Sequence, residues 1–425
     1  MSLLRLWSRH PRHLGYGLLH FFSSAVGQTF FVSLFVADVT ADMAWADDTF
    51  ASLYSGVTLA AALALPYVGT LVDRHPARYV STAAALAIAG ALVGLAAANT
   101  IWAFAPALLL ARLGGQGVLP LIGSTTIGRY FTAQRGRALS ATAIGTSLAE
   151  VSVPALAVWA IGTYGYHVAW LTAAGYMALA FVPLVWWLLP RGDAFQTAGG
   201  AAARASADTD APSVADLPVD GLPPSRPPRS YTRAEVLSDV RFRLVVPALV
   251  LSPFVLTGLI FNQGLIAELR GYTAAWMALG ISSYGVARGA MTLLGGGLID
   301  RYGAERLIQL VAAPMLLGLT VFLLAEGRWT VPAFFVLAGL ATGAESVVWP
   351  ALWAERYGPR HLGSIKSATR LLMVLTTAAA PVLFTWVLGY GLSVLLLALL
   401  AYAAVAVGLV WVAARGKLKS GSVES

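Results

Sequence analysis

Two stretches of this sequence share one pattern: "GTLVDRHPARYV" at residues 69–80 and "GGLIDRYGAERL" at residues 296–307. Gly, Leu, Asp and Arg stand at the same spacing in both, and the two stretches begin 227 residues apart. A match that returns half a chain later predicts that the chain contains two copies of one unit. The pattern also places an Asp-Arg pair twice in a sequence that is otherwise poor in charge.

The composition indicates that most of the surface does not face water. The chain is 58% hydrophobic and 11% charged, with a mean hydropathy of +0.73, whereas soluble domains carry about 25% charged residues. The net charge is +8, but the basic residues stand in short clusters between apolar runs, so we expect no nucleic-acid partner. The absence of cysteine excludes disulfides and thiolate metal sites. No catalytic or metal-ligand constellation is recognisable, so we expect neither an enzyme nor a cofactor or metal site.

Apolar runs long enough to cross a bilayer, about 20 residues each, recur along the chain. We predict six before residue 190 and six after residue 242. Their ranges are 14–37, 50–71, 79–98, 102–127, 138–161, 168–189, 243–266, 273–297, 307–325, 330–353, 364–388 and 391–413. Because so many runs cannot all lie inside a soluble protein, the sequence predicts an all-α, multi-pass membrane protein with twelve transmembrane helices.

The basic residues predict the orientation of these spans, because cytoplasmic loops carry the excess of Lys and Arg. Of the 28 basic residues, 22 lie in segments on one predicted side, and only Arg270 and Arg328 lie on the other. Both termini are therefore predicted to be cytoplasmic. We expect the protein to lie in the plasma membrane, which we expect to be the inner membrane of a bacterium.

The segment between the two sets of spans has a different composition, illustrated by "ADTDAPSVADLPVDGLPPSRPPRS" at 207–230. Such a sequence buries too little apolar surface to fold on its own. We predict an N-terminal six-helix bundle over 1–190 and a C-terminal six-helix bundle over 243–425. Between them we expect a cytoplasmic linker over 191–242, largely disordered, with a short surface helix at 232–240.

The repeated pattern, in a chain of six plus six predicted spans, resembles the signature Gly-x-Leu-x-Asp-Arg-x-Gly of the major facilitator superfamily of secondary transporters. The second copy is the fuller one, with Asp300, Arg301 and Gly303, while Pro76 stands where the last glycine is usual in the first copy. The resemblance covers essentially the whole chain. It implies the major facilitator fold, with two six-helix bundles related by an axis along the membrane normal.

The resemblance also implies what the two copies of the pattern do: they control the change of conformation and do not touch the substrate. Each Asp is expected to accept hydrogen bonds at the N-terminus of a neighbouring helix, where a negative charge is favoured. The residues concerned are Gly69, Asp73, Arg74, Gly296, Asp300 and Arg301. The alternative is that the Asp-Arg pairs are plain solvated turn charges.

Six charged side chains lie within predicted spans. A charge near the bilayer centre costs at least ~2.5–3.5 kcal/mol on insertion scales, so each needs a partner or a water-filled cavity. None lies in the third, sixth, ninth or twelfth span, which are the outer helices of the resembled fold, so we expect all six to face the centre. They are Arg112, Glu150, Arg288, Glu345, Lys366 and Arg370.

Arg288 is the leading candidate for binding a substrate. Monocarboxylate and oxalate/formate-type transporters of the superfamily use an eighth-helix arginine for the substrate carboxylate, and a guanidinium suits that group because it donates two parallel hydrogen bonds. The resemblance to this branch is partial, since Tyr284 stands where an Asp is found in it. The alternative is that Arg288 only pairs with Glu345.

Arg112 and Arg370 are further candidates for binding an anion. For Arg112 the alternative is a structural pair with Glu150 on the neighbouring span. Neutral side chains at predicted pore-lining positions complete the expected substrate site, and these are Gln28, Asn262, Gln263 and Tyr284.

Proton coupling is expected at Glu150 and Glu345, because ionisable residues inside a membrane commonly form proton relays. His20 is the third candidate, since histidine titrates near neutral pH. Its alternative is a role in helix packing or at the membrane interface.

Four bases against two acids within the spans favour a small anionic substrate. We expect a proton-linked secondary transporter of small organic anions, monocarboxylates above all, that works as a monomeric symporter by rocker-switch alternating access. One alternative is an exporter of drugs or siderophore-like metabolites, although "GTSLAEVSVPAL" at 145–156 lacks the Gly-Pro-rich motif of drug/proton antiporters. A second alternative is a membrane sensor that transports nothing.

Overall fold

The structure, a computed structural model, describes residues 3–131, 135–189, 231–357 and 362–415. Within these ranges all regular structure is helical, as the sequence predicted, and no strand is present. The long helices are numbered α1 to α12 in chain order. Two short helices lie outside this numbering because they precede each set of six, at Leu3–Arg9 and Arg233–Ser238.

The first half contains six long helices, several of which are interrupted. They are α1 (Pro11–Gly27 and Thr29–Asp42, joined at 44°), α2 (Asp47–Arg74), α3 (Ala77–Ala97), α4 (Ile101–Tyr130), α5 (Arg135–Tyr164) and α6 (Tyr166–Leu188). A π-helical stretch interrupts α4 at Leu113–Val118 and another interrupts α6 at Tyr176–Phe181. The break in α1 has consequences for the site, because it frees backbone groups inside the membrane span.

The second half repeats this arrangement. Its helices are α7 (Val240–Phe261), α8 (Ala274–Tyr302), α9 (Ala304–Leu324), α10 (Thr330–Tyr357), α11 (Leu362–Leu388) and α12 (Leu392–Arg415). A shorter helix, Gln263–Arg270, continues α7. The helix Arg233–Ser238 begins with a capping box between Thr232 and Glu235, inside the predicted 232–240 segment. Residues 191–230 of the predicted linker lie outside the described residues, and residues 240–242 already belong to α7.

The number of membrane crossings is close to the predicted twelve. In the described ranges, ten helices are long and apolar enough to cross a membrane, and the bent helix α1 makes an eleventh. The remaining helix, α8, has 29 residues, which is long enough to cross, but its glycines, serines and Arg288 make it less apolar. The all-helical membrane fold is therefore confirmed, and the twelfth crossing stays a prediction.

Helices α2 and α8 run through the two copies of the repeated pattern. The predicted spans ended at residues 71 and 297, which is too early for the helices: α2 ends at Arg74 and α8 at Tyr302. α2 continues past Pro66 and α8 past the glycines at 295–297, and each helix ends shortly before Pro76 or Gly303. Gly303 turns with a φ of 76°, a conformation open to glycine, whereas Pro76 has a φ of −59°. The two copies therefore turn differently.

The two halves meet where α5 packs against α8, at a row of small residues. A Cβ atom added to Gly285 would lie 2.8 Å from the Cβ atom of Glu150 and 3.0 Å from the carbonyl oxygen of Ser147. The hydroxyl of Ser282 donates to the carbonyl oxygen of Val151 at 2.7 Å. Small residues let membrane helices approach this closely. Helices α2 and α11 form a second contact between the halves.

Candidate substrate cavity and its charged residues

A cavity of about 600 Å³ lies between the two halves, with walls formed by α1, α2, α4 and α11. It extends to Gly69, near the end of α2 that carries the repeated pattern. Most of the lining residues are apolar. The polar ones are Thr58, Arg112, Gln116, Ser124, Arg370 and Thr377. Among the described residues the walls thus contain two guanidinium groups and no carboxylate.

One face of α4 supplies much of this polar lining. Arg112, Gln116 and Ser124 all line the cavity, and Arg112 and Gln116 are four residues apart, the spacing that places side chains on one helix face. Of these three residues, only Arg112 was predicted from the sequence. The spacing of four was the signal that would have added Gln116 to the predicted site.

Arg112 is held at the point where α1 breaks. Extended backbone at Gln28 interrupts the helix, and carbonyl groups at such a break need partners because no water is available in lipid. One Arg112 nitrogen, Nη1, donates to the carbonyl oxygen of Gly27 at 2.7 Å, and Nη2 donates to Oγ1 of Thr58 at 3.1 Å. The guanidinium carbon lies 4.4 Å from the ring centroid of Tyr54. Only 1% of Arg112 is exposed, so this arginine supports the break in α1.

Arg370 is in the opposite situation. It lies exposed in the cavity wall on α11, and it forms no hydrogen bond or ion pair with any described residue. Its guanidinium is therefore available to a ligand. Gln28, another predicted substrate contact, is half-buried at the break in α1 and is not among the residues that line the cavity.

Gln263 closes the contact between the halves at the end of the spans away from the repeated pattern. Its Nε2 atom donates to the hydroxyl of Ser33 on α1 at 2.8 Å. Nearby, the ring of Tyr54 on α2 lies 4.6 Å from the ring of Phe261 at the end of α7. Gln263 was predicted to contact substrate. In this conformation it instead belongs to the contact that closes the interface between the two halves.

Asn262 and Tyr284 both turn into the second half. Nδ2 of Asn262 donates to a backbone carbonyl of its own helix, and its Oδ1 accepts from the hydroxyl of Thr385 on α11 at 2.7 Å. The hydroxyl of Tyr284 accepts from Thr342 on α10 at 3.2 Å. Both side chains are buried and neither lines the cavity, so their predicted contact with substrate is not seen in this conformation.

The sequence left two ion pairs open as alternatives, and the structure shows neither of them. Arg112 does not pair with Glu150, and Arg288 does not pair with Glu345. Instead Nη1 of Arg288 donates to Oε1 of Glu150, in an ion pair that joins the two halves. The Glu150 side chain is 5% exposed and that of Arg288 is 29% exposed. Neither residue lines the cavity described above, so the predicted carboxylate-binding role of Arg288 has no counterpart in this conformation.

Glu345 lies within the second half, where Ser252 on α7 donates to its Oε1 at 2.6 Å. Only 7% of Glu345 is exposed. Glu150 has a second carboxylate oxygen, Oε2, that is buried and has no hydrogen-bond partner. The two predicted proton-coupling carboxylates therefore differ in their contacts: one joins the halves, and the other lies inside one of them.

His20 lies inside the first half, away from the cavity. Its Nε2 atom is 2.8 Å from the hydroxyl of Ser81 on α3, and its Nδ1 atom is 2.8 Å from the carbonyl oxygen of Tyr16. The hydroxyl of Tyr16 is also hydrogen bonded to Ser81, at 2.7 Å. This fully buried network fits the packing alternative for His20, and a role in proton coupling stays a prediction.

The repeated pattern is only partly described at the level of side chains. Gly69 lines the cavity, and the guanidinium carbon of Arg301 lies 5.3 Å from the ring of Tyr302. The surroundings of Gly296 and the side chains of three residues lie outside the described part of the structure. Those three are Asp73, Arg74 and Asp300.

Residues of α10 hold the start of α9, directly beside the second copy of the pattern. The amide nitrogen of Ala304 donates to Glu355 Oε1 at 3.2 Å, at a helix N-terminus where a carboxylate is favoured. Arg356 donates from Nε and Nη2 to the two carboxylate oxygens of Glu305, at 2.9 and 2.8 Å. No role was predicted for these residues from the sequence. The sequence contained one signal for these contacts, because an acidic residue is directly followed by a basic one in each of the two segments.

The family follows from the sequence as a whole. The profile of the Major Facilitator Superfamily matches residues 17–381. This chain belongs to the Major Facilitator Superfamily. The resemblance based on the repeated pattern is thereby confirmed, and the chain is a member of a family of membrane transporters.

Solved structures of superfamily transporters share the fold. A bacterial homolog of the human lysosomal transporter Spinster, in an inward-facing and unoccupied conformation, superposes with a TM-score of 0.67, at 13% identity, over 96% of both chains. The nucleoside transporter NupG superposes with a TM-score of 0.67, at 14% identity, over 97% of this chain and 98% of its own. At these identities the likeness concerns the fold alone.

Relatives within the superfamily match shorter parts of the chain. Facilitated glucose transporter member 8 of solute carrier family 2, from Bos taurus, is 35% identical over 115 residues, which are 27% of this chain and 23% of that protein. A multidrug resistance protein B homolog of Mycobacterium tuberculosis is 28% identical over 185 residues, 42% of this chain and 34% of that protein. These matches thus span about a quarter to a third of the relatives' length.

Proposed function

We propose that this superfamily member is a secondary active transporter of organic anions, with monocarboxylates as the first class to test. The observation that carries the proposal is the presence of Arg112 and Arg370 in a cavity whose described walls hold no carboxylate. Two positive groups in a largely apolar cavity favour a ligand with one negative group and an apolar remainder, because a guanidinium there is poorly hydrated.

Alternating access between the two halves is the proposed mechanism. With both termini in the cytoplasm, the cavity reaches toward the cytoplasm along α2, and the contact of Gln263 with Ser33 closes the outer end. The described conformation is then inward-facing. The bundles 1–190 and 243–425 rock against each other, and Asp73 and Asp300 of the repeated pattern control that movement. We propose a monomer in the plasma membrane.

Arg370 is the proposed first contact of the anion. It is exposed in the cavity, and it can donate two parallel hydrogen bonds to a carboxylate. Arg112 lies deeper and already supports the break in α1, but its buried Nε atom has no hydrogen-bond partner. Two of its five N–H groups are used in the hydrogen bonds to Gly27 and Thr58. In this proposal Arg370 takes the role that the sequence assigned to Arg288.

The ion pair between Glu150 and Arg288 is the proposed point of proton coupling. When Glu150 binds a proton, its attraction to Arg288 falls and the contact between α5 and α8 weakens, which favours movement of the two halves. Glu345 is the second candidate, because it is buried beside only a hydroxyl partner at Ser252. The supporting observation is that the Glu150 pair crosses the moving interface, whereas Glu345 lies within one bundle.

Uptake into proteoliposomes tests this function. The purified chain is reconstituted, and entry of radiolabelled monocarboxylates, dicarboxylates, sugars and nucleosides is followed with and without an imposed pH gradient. We expect gradient-stimulated uptake of one or more monocarboxylates, and competition by other carboxylates. Uptake of a neutral solute with no effect of carboxylates would contradict the proposal.

A second candidate function is export of larger amphipathic compounds. The observation in its favour is the size and apolar lining of the cavity, since about 600 Å³ is within the range of pockets for drug-sized ligands. The partial similarity to a multidrug resistance protein homolog points the same way. Binding of a fluorescent cationic dye that carboxylates do not displace would favour this candidate, because two arginines disfavour a cation.

A further inference from the structure

A second cavity lies on the outside of the second half, between α8, α9 and α10. Its volume is about 480 Å³, and its walls are apolar except at one end. The wall residues include Met291, Leu298, Leu310, Pro314, Leu340 and Val348. We call this cavity the α9 groove. It is separate from the proposed substrate cavity, with which it shares no lining residue.

Close packing of α8 on α10 forms the floor of the α9 groove. A Cβ atom added to Gly295 of α8 would lie 2.5 Å from Cγ2 of Val347 on α10, so glycine allows this approach. Helix α9 is interrupted at Ala312, two residues before Pro314, and a proline interrupts helical hydrogen bonding. Residues on both sides of this interruption line the groove.

The end of the α9 groove near the repeated pattern carries a free positive charge. Arg306 lies exposed at this end, next to Tyr302, and lines the groove. Arg306 forms no hydrogen bond or ion pair with any described residue. Its neighbour Glu305 is engaged by Arg356. The rim of the groove therefore offers one guanidinium and one phenol to a ligand.

The first half also carries a base near the start of its third helix, but that base is engaged. Arg78 is only 2% exposed, and its guanidinium carbon lies 4.5 Å from the ring of Trp186 on α6. Trp186 also donates to Thr82 at 3.0 Å. Arg306, one position further along the repeated pattern, is exposed.

We propose that the α9 groove binds an anionic phospholipid of the leaflet on the side of the repeated pattern. An acyl chain fills the apolar part, and the phosphate lies between Arg306 and Tyr302. Two observations favour this occupant. The groove faces outward from a bundle of membrane-spanning helices, where hydrocarbon chains are the surrounding solvent. Among the described residues that line it, the one charged side chain is that of Arg306, near the end of a predicted span, a position that attracts acidic headgroups.

Photocrosslinking of lipids to the full chain tests this proposal. The protein is placed in phosphatidylcholine nanodiscs that contain a trace of phosphatidylglycerol with a diazirine in one acyl chain, and labelled residues are mapped by mass spectrometry. We expect labelling concentrated on peptides that contain Leu310 and Leu340. Arg306→Gln should reduce it about fivefold, the effect of one basic residue beside an anionic headgroup, and Arg306→Lys should retain most of it.

Matched controls separate headgroup recognition from general contact with lipid. Arg328→Gln removes an exposed arginine at the opposite end of the bundle and should leave labelling of the groove unchanged. Ala344→Phe, which adds a ring to a residue of the groove wall, should reduce labelling in protein whose thermal unfolding midpoint is unchanged. If Ala344→Phe does not fold, the Arg306 variants still decide the question.

Three results would overturn the proposal. The first is equal labelling of the groove by diazirine-bearing phosphatidylcholine and phosphatidylglycerol in the wild type, which would show filling without headgroup recognition. The second is unchanged labelling in Arg306→Gln. The third is a crosslinked dimer through the same peptides, which would show that a second copy of the chain covers the groove.

Discussion

Arg288 of α8 and Glu150 of α5 form an ion pair across the interface between the two halves of the chain. The pair lies where small residues bring the two helices together, beside Gly285. Its burial is uneven, because the carboxylate is almost fully buried while the guanidinium is 29% exposed. Removal of the arginine therefore strands a negative charge, whereas removal of the glutamate leaves a cation that water can still reach.

This asymmetry predicts the stability of three variants. Arg288→Gln should lower the thermal unfolding midpoint more than Glu150→Gln, because an isolated buried charge costs more than a partly solvated one. Breaking a buried pair costs about 3–5 kcal/mol in soluble proteins, and the exposure of Arg288 places the expected loss below that range. The double variant should recover most of the loss, since both charges are gone.

Thermal unfolding in one detergent checks this prediction. Glu268→Gln serves as the control. It neutralises an exposed carboxylate on the helix Gln263–Arg270, which continues α7, and it should leave the midpoint unchanged. A loss in the double variant equal to the sum of the two single losses would mean that the two residues do not depend on each other.

Arg370 provides a prediction about binding. Arg370→Gln should raise the substrate KM about 10- to 100-fold, as expected for loss of one charged hydrogen bond of about 1.5–3 kcal/mol. Arg370→Lys should recover only part of the loss, because the two-pronged geometry is absent. Uptake kinetics in proteoliposomes measure both, with Arg328→Gln as a matched loss of an exposed arginine. An unchanged KM in Arg370→Gln would remove this residue from the binding site.

The fold could be predicted from the sequence because it depends on properties that accumulate over many residues. About 20 apolar residues in a row identify a span whichever face each one occupies. The repeated pattern in Gly69–Arg74 and Gly296–Arg301 then pointed to two copies of one unit. Helix ends were predicted less well, since α2 and α8 continue to Arg74 and Tyr302 instead of ending at residues 71 and 297.

The pairs of charged residues could not be predicted, because depth along a helix does not reveal the direction of a side chain. Arg288 and Glu345 belong to the same half, and this made them natural candidates for a pair. The true partner of Arg288 lies across the interface, at a contact that depends on Gly285 and Ser282. For His20, the residue's depth gave no sign that its ring is directed toward Ser81 and away from the cavity.

Gly285 provides a prediction about the same interface. Gly285→Ala places a methyl group 2.8 Å from the Cβ atom of Glu150, which is too close, so the helices must separate. We expect a loss of about 1–3 kcal/mol, the usual cost of overpacking, seen as a lower thermal unfolding midpoint.

Gly90 of α3 is the matched control for this substitution. A Cβ atom at Gly90 meets nothing within 4 Å, and a helical Gly→Ala change gains up to about 1 kcal/mol where there is space. Gly90→Ala should therefore keep or raise the midpoint. A midpoint for Gly285→Ala at or above that of the wild type would show that α5 and α8 are not closely packed in the protein.

The last prediction separates the two candidate proton carriers. If Glu150 carries the proton, Glu150→Gln should lose accumulation of substrate driven by a pH gradient, because a glutamine cannot bind and release a proton at this position. It should retain counterflow exchange of substrate, which needs movement of the two halves but no net proton transfer. Retained exchange also shows that the variant is folded, which matters because the substitution leaves Arg288 without its partner.

Glu345→Gln, a neutralised carboxylate inside one bundle, should accumulate substrate normally. The reverse result, with accumulation lost only in Glu345→Gln, would move the coupling site to the contact with Ser252, and normal accumulation in both variants would exclude proton coupling through either residue.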